Sequence, residues 1–379
     1  MTTERCDAKS ESRARRPQYQ FHPFEIAFSG HSGSGKTTLI TKLVEKLSST
    51  YSIGYVKHDA HKFQMDHEGK DTHKVWSSGA AKVFISDSQH TVLISSGTEG
   101  YFHQNMQFVS CDFVILEGYK NIPIDKILVL DEEEKILEEL PKNALERVVA
   151  CVGQQNISSH PVLQVPYFHR DDVSSILSFI EERFADRIRK IPLFGLVLTG
   201  GYSTRMETDK GKLVYHGKPQ AEVCYDLLSG LCEKVYISTR RGQYEKEFLQ
   251  GFPKLYDRFS EFGPLGGVLT AMVTYPNASW YVLACDMPHI NRETLQVLVQ
   301  NRDPLKMATT YLSAEDGLPE PLCAIYEPKA RVPLLERLGF GFECPRKFLI
   351  NSPCKGVPLQ DREALKNVND RESYEQVIK

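Results

Sequence analysis

Two glycine-bearing segments in this 379-residue chain hold the residue types that handle phosphate. The first, Gly30-His31-Ser32-Gly33-Ser34-Gly35-Lys36-Thr37, has the spacing GxxxxGK[ST]. Gly30, Gly33 and Gly35 let the backbone wrap an oxyanion and aim N–H groups at it. Lys36 reaches β and γ phosphates, and Thr37 offers its hydroxyl to Mg²⁺. A helix starting near Lys36 adds the partial positive charge of its N-terminus. The acid that completes such a site belongs at the end of a neighbouring strand. Glu117 follows the apolar run 113–116 and fits that place, whereas Asp112 precedes the run and lies at its other end. An acid that merely caps the strand is the plain alternative for Glu117. Lys57-His58 is followed by Asp59, His61, Asp66, His67 and Asp71. Their spacing fits no zinc template, and they read as a polar loop on the nucleotide side. No N/T-K-x-D base-reading motif is present, so these residues leave GTP and ATP open.

The second segment runs from Leu198 and Thr199 through Gly200-Gly201 to Arg205 and Lys210. It is neither a P-loop nor a GxGxxG fingerprint. Paired glycines let the backbone approach phosphates or a base edge. Arg205 and Lys210 neutralise a triphosphate and the charge that develops on leaving pyrophosphate. Attack at an α-phosphorus needs chiefly positioning and charge neutralisation. Further parts follow in order: Asp257 after a short strand at 254–256, then Phe262-Gly263-Pro264-Leu265-Gly266-Gly267, then the apolar run 280–284 leading into Cys285-Asp286-Met287-Pro288. Asp286 is at the carboxyl end of its strand, where open α/β sheets bind ligands, and a hard carboxylate suits Mg²⁺. Cys285 reads as a small buried residue rather than a nucleophile.

The elements that must hold these residues alternate. Short apolar runs at 24–28, 52–56, 82–85, 91–95, 113–116 and 127–130 predict strands, and 39–47 has helical spacing. Val173, Ile176, Leu177, Ile180 and Phe184 form one helical face, with Asp171 or Asp172 as its cap. The charged stretch 185–190, closed by Pro192, predicts a linker. A second alternation then opens with a strand at 193–198, followed by helix 221–228, strand 234–237, helix 268–273 and strand 280–284. The expected fold class is α/β in two domains, a P-loop NTPase-like fold and a Rossmann-like nucleotidyl transferase fold with a mostly parallel sheet. The boundaries are 1–20 for a flexible tail, 21–187, a linker at 188–192, and 193–379.

Composition narrows the function classes. Charged residues make up 25% and the formal net charge is -3, so there is no global basic field for nucleic acid. Nine cysteines without CxxC spacing argue against a disulfide scaffold or a cysteine-rich zinc site. No run approaches a membrane span, and the N-terminus lacks an apolar signal region. A cytoplasmic protein is expected, with no nucleic-acid or membrane partner.

On Gly30–Leu39, Lys57-His58, Gly69-Lys70-Asp71, Gly79-Ala80-Ala81 and Leu116-Glu117-Gly118-Tyr119-Lys120, residues 22–187 resemble MobB. These are P-loop GTP-binding adaptors of molybdenum cofactor biosynthesis. The resemblance implies GTP as ligand, weak GTPase activity, a helper role and a homodimer through this half. On LTGGYSTRM, Asp209-Lys210, FGPLGG, CDMP and Asn367-Val368-Asn369, residues 193–379 resemble the MobA-type molybdenum cofactor guanylyltransferases. That resemblance implies that Leu198, Thr199, Gly200, Lys210, Ser238, Asp257 and Asp286 meet GTP and metal, with Asp257 beside the guanine or ribose. It also points to Asn367, Asn369 and the region around Glu320 as acceptor-binding. Ser238 stands where the family often has Asn, Glu207 where it usually has Gly, and Glu320 where it often has His. The implied reaction joins GMP from GTP to molybdenum-bound molybdopterin, with molybdoenzyme apoproteins or their chaperones downstream. Cytidylyl transfer, a sugar-phosphate acceptor, and a GTP-binding delivery protein with an impaired transferase half stay open.

Overall fold

The computed structural model describes residues 19–58, 66–96, 101–199, 210–215, 217–244, 248–259, 261–368, 372 and 374–375. They form two compact units that divide between Glu182 and Arg183.

The first unit is built on strands β1 (Glu25–Ser29), β2 (Ile53–Lys57), β5 (Phe113–Glu117), β6 (Lys126–Val129), β7 (Val148–Gly153) and β8 (Tyr167–His169). They pair in the order β2-β5-β1-β6-β7-β8, every pair parallel. β1 and β5 are buried along their whole length, as central strands covered on both faces must be. Helix α1 (Lys36–Leu47) turns Leu39, Ile40, Leu43 and Leu47 inward. Strands β3 (Lys82–Ser86) and β4 (Thr91–Ser95) form a separate antiparallel hairpin after helix α2 (Asp71–Ser77), and α3 (Tyr101–Phe108) leads into β5. Two single-turn helices, α4 (Ile136–Glu139) and α5 (Lys142–Leu145), precede β7. Helix α6 (Val173–Arg189) starts where Asp172 accepts a hydrogen bond from the Ser175 N–H. It runs through residues 188 and 189, which had read as linker. The charged sequence there is helical because Phe184 stays buried while Arg187 lies over its ring and Arg189 pairs with Asp186 one turn back.

The second unit continues with β9 (Leu193–Leu198), α7 (Gln220–Ser229), β10 (Lys234–Thr239), β11 (Lys254–Tyr256), α8 (Gly263–Thr274) and β12 (Ser279–Ala284). After these come α9 (Arg292–Gln300), β13 (Ala308–Leu312), β14 (Pro319–Tyr326), α10 (Arg331–Gly339), α11 (Pro345–Ile350) and β15 (Cys354–Pro358). The sheet order is β11-β10-β9-β12-β14-β13-β15, and β14 alone runs antiparallel to both its neighbours. The core packs Val197, Leu228, Tyr281, Leu283, Leu295 and Ile325 between sheet and helices. Cys285 is buried among them. At the amino end of β12, Arg302 bonds Glu327 and Ser279 in a buried ionic network whose members satisfy one another. Among the described residues, no helix is long and apolar enough to cross a membrane.

Candidate functional site

In the first unit the loop from Gly30 joins β1 to α1, so Lys36 and Thr37 open the helix at the carboxyl end of the sheet. Gly35 has φ 90°, a left-handed conformation that costs a residue with a Cβ strain, and it precedes a helix that no side chain caps. The Thr37 hydroxyl donates to Glu117, 2.9 Å from Oε1 and 3.0 Å from Oε2. The spacing-based pairing of loop hydroxyl and strand-end acid is thus a direct contact. Lys36 Nζ donates to the His31 carbonyl at 2.5 Å. Burial pulls the Lys36 ammonium below its ordinary value; Glu117 opposes that pull, and Lys120 and Lys57 add to it. Lys120 is paired with Glu139, so Lys36 and Lys57 share the one carboxylate of Glu117, a site short of negative charge that phosphate oxygens would supply.

In the second unit, Leu198 pairs with Ser238 on one side and Ala284 on the other, so β9, β10 and β12 end at one level. Thr199 Oγ1 donates to the Ser238 carbonyl at 2.8 Å. Gly267 in α8 faces the Ser238 hydroxyl, and a Cβ there would lie 2.7 Å from Ser238 Oγ and 2.8 Å from Leu198 Cδ2, so any larger residue would have to displace those side chains. Asp257 Oδ1 accepts from the Phe259 N–H at 2.7 Å and the Thr270 hydroxyl at 3.0 Å, which fixes the loop entering α8. Just past β12, Asp286 Oδ2 accepts from Lys210 Nζ at 3.1 Å, with the two side chains 14% and 16% exposed. Asp286 Oδ1 is buried without a hydrogen-bond partner. The backbone carbonyl of Asp286 accepts from the Val368 N–H at 2.8 Å, which brings Asn367 to the same corner. Gly200, Gly201, Arg205, Glu207, Asp209 and Asn369 lie outside the described residues, as do Asp59 and His61.

Residues 25–154 match the family model described as molybdopterin guanine dinucleotide synthesis protein B, and residues 195–351 match the one described as a MobA-like NTP transferase domain. A molybdopterin-guanine dinucleotide biosynthesis adapter protein of Escherichia coli is 30% identical over 167 residues, covering 41% of this chain and 91% of that protein. A probable molybdenum cofactor guanylyltransferase of a Nostoc species is 30% identical over 182 residues, covering 48% of this chain and 87% of that protein. The chain belongs to both families. It is also 37% identical over 190 residues, half of its length, to a Synechocystis protein named a molybdenum cofactor biosynthesis bifunctional protein. The matched stretch spans 55% of that relative.

Within the MobB-type unit, sequence reasoning missed the other partners of Glu117. The Tyr55 hydroxyl donates to Oε2 at 2.7 Å, and Lys57 lies 3.4 Å from Oε1. Burial works to raise the Glu117 carboxyl, but the bonds from Tyr55 and Thr37 and the charge of Lys57 outweigh it and hold it below the usual carboxylate range. Also missed was Lys126, fully buried in β6, whose ammonium donates to the carbonyls of Tyr119, Lys120 and Ile122. It ties down the loop that follows Glu117, and burial lowers it to about 8. Alternation along β2 puts residues 55 and 57 on one face, and that was the available signal.

Within the MobA-like unit, Glu320 is the second residue of β14, the strand that pairs with β12 as far as Leu283–Cys323. Glu320 pairs with Arg346 at 2.6 Å, and Arg346 reaches Asp316 at 3.5 Å. Burial raises the Glu320 carboxyl against the opposing pull of Arg346. The departure from the family's usual histidine therefore comes with its own cationic partner. Among the described residues, no cluster of three His, Cys, Asp or Glu side chains could hold a metal alone. A single carboxylate with one open oxygen suits Mg²⁺, which keeps water and substrate phosphate in its shell.

Proposed function

We propose that the chain is a fused molybdenum cofactor guanylyltransferase, with residues 21–187 as a GTP-binding adaptor and 193–379 as the transferase, joined at 188–192 where α6 ends. The observation that carries the reading is the Lys210–Asp286 pair at the carboxyl end of β12, with Asp286 Oδ1 left open. In the proposed reaction a terminal phosphate oxygen of Mo-molybdopterin attacks the α-phosphorus of GTP. The new P–O bond forms as the bond to the β-phosphate bridge breaks, and pyrophosphate leaves with that electron pair. No protein nucleophile takes part.

Mg²⁺ at Asp286 would supply charge neutralisation on the phosphates. Lys210 and Arg205 balance the remaining negative charge, and Lys210 also orients the aspartate. Leu198, Thr199 and the glycines Gly200 and Gly201 would meet the nucleotide, with Ser238 and Asp257 serving its base and ribose. Asn367, Asn369 and the Glu320–Arg346 pair would serve the acceptor. In the adaptor, Gly30, Gly33, Gly35 and Lys36 hold phosphate while Thr37 and Glu117 stand where its metal would bind. The dinucleotide product would pass to molybdoenzyme apoproteins or their chaperones, in the cytoplasm. The β3–β4 hairpin exposes the cross-strand pair Phe84 and Leu93 on one face and Ile85 and Val92 on the other, apolar surface that supports a homodimer through the adaptor.

Pyrophosphate release by the full chain, with each nucleoside triphosphate and either Mo-molybdopterin or a sugar phosphate, tests the reading. GTP with Mo-molybdopterin should be the productive pair. A preference for CTP, or turnover with a sugar phosphate alone, would overturn it.

A further inference from the structure

The MobA-like unit leaves a second buried polar atom unsatisfied near Asp286, the phenolic oxygen of Tyr215. Tyr215 follows the short turn at Lys210–Lys212 and is 7% exposed. It packs with Leu213, Val368 and Tyr374, its ring meeting that of Tyr374 edge-on at 5.1 Å. Val368 links this packing to the site, because its N–H is the group that donates to the Asp286 carbonyl. The phenol feels the site directly: burial first, then Cys285 and the Asp286 carboxylate, push its pKa up.

Unpartnered buried oxygens are destabilising, and folded proteins keep few of them. Among the described residues of this unit, Gln220 Oε1, Thr239 Oγ1 and Trp280 Nε1 are also buried without a partner, but the other deeply buried phenols are satisfied. Buried Tyr281, Tyr311 and Tyr326 each donate to a backbone carbonyl, of Leu295, Thr294 and Pro321 respectively. Of these four tyrosines Tyr215 alone lacks a partner, and it shares its corner with the one open oxygen of Asp286. Neither atom bonds the other. The carboxylate offers only lone pairs, whereas the phenol can both donate and accept. A hydrated divalent cation meets both demands, with the carboxylate on the ion and the phenol on an oxygen that the ion carries.

We propose that Tyr215 is a positioning residue of the cation site at Asp286, its hydroxyl holding a water or phosphate oxygen bound to that cation. The proposal rests on the transferase reading but concerns a residue that reading does not use. Its test takes the full chain with a GTP analogue whose α–β bridge is a methylene group. Mn²⁺ binding is followed by electron paramagnetic resonance, and the relevant site is the one that Asp286→Asn removes. In Tyr215→Phe the Mn²⁺ affinity of that site should fall about tenfold. The metal-free protein should melt at the same temperature or higher, because the substitution deletes an unpaired hydroxyl. The Mg²⁺ concentration for half-maximal transfer should rise by a similar factor, with the rate at saturating Mg²⁺ changed by less than about twofold. Unaltered Mn²⁺ affinity would overturn the proposal and leave a bridging water as the group between the two atoms. A lower melting temperature with unaltered affinity would do the same, by making the hydroxyl purely structural. If Asp286→Asn removes no Mn²⁺ site, the transferase reading fails as well, so the two failures are distinguishable.

Discussion

Glu117 ends a strand parallel to both its neighbours and Asp286 lies just past one that is parallel to β9 and antiparallel to β14, and the surroundings of the two acids differ further. Both oxygens of Glu117 are engaged, by Thr37, Tyr55 and Lys57, and Lys36 adds a second cation nearby. Asp286 has one cation on one oxygen and nothing on the other. The first arrangement is a finished framework with surplus positive charge, suited to gripping a polyanion. The second is an electrically even pair with an open coordination position, suited to a reaction in which metal and triphosphate arrive together. Position at a strand end does not decide what an acid does; the number of donors already on it does.

The comparison breaks first at Asp286. Asp286→Ala should lower GMP transfer by about a thousandfold, read as pyrophosphate release, since it deletes the metal carboxylate and the anion that orients Lys210. Lys210→Met should cost about a hundredfold and raise the Mg²⁺ requirement, because it removes a charge that balances the phosphates and leaves Asp286 Oδ2 without its donor. If either variant keeps near-normal turnover, Asp286 is only a capping acid and the two sites are not different in kind. Lys36→Ala moves the other side. Guanine nucleotide affinity of the adaptor should fall about tenfold to a hundredfold, the effect of one charged hydrogen bond, while transfer stays unchanged. Loss of transfer in that variant would mean that the two units act as one device.

Much of this was readable because the chemistry is local. The P-loop, the acid after the run at 113–116 and the aspartate after 280–284 are each fixed by contiguous residues, and strand 193–198 needs only its apolar run. The partners of Glu117 come from β2, about 60 positions away in sequence, and nothing local pairs β2 with β5. β13, β14 and β15 were hidden for another reason. ATTYL mixes threonines into a buried strand, β14 opens with Pro-Glu-Pro, and the reversed direction of β14 is a property of the whole sheet. Lys126 was passed over because a buried lysine departs from the apolar pattern of a central strand, and three loop carbonyls compensate it only after folding. The orphaned oxygens of Asp286 and Tyr215 have no sequence signature at all, since both are defined by what surrounds them.

The smallest expected effect sharpens the comparison through pH. Glu117 has a native pKa held below its ordinary value of 4.5. Its folded carboxylate is therefore favoured over the unfolded one, and the stability this adds is fully present above about pH 5. It is lost as the pH falls below 4.5 and through the native value, because the unfolded chain takes up the proton first. Glu117→Gln removes that titration, keeps a carbonyl oxygen for the Tyr55 and Thr37 hydroxyls, and surrenders the attraction to Lys57. Thermal unfolding followed between pH 7 and pH 3.5 should show the variant less stable than the parent at neutral pH, with the gap closing on acidification. A gap that stays constant across that range would mean that the donors on Glu117 do not favour its charged form. The contrast with Asp286 would then rest on geometry alone.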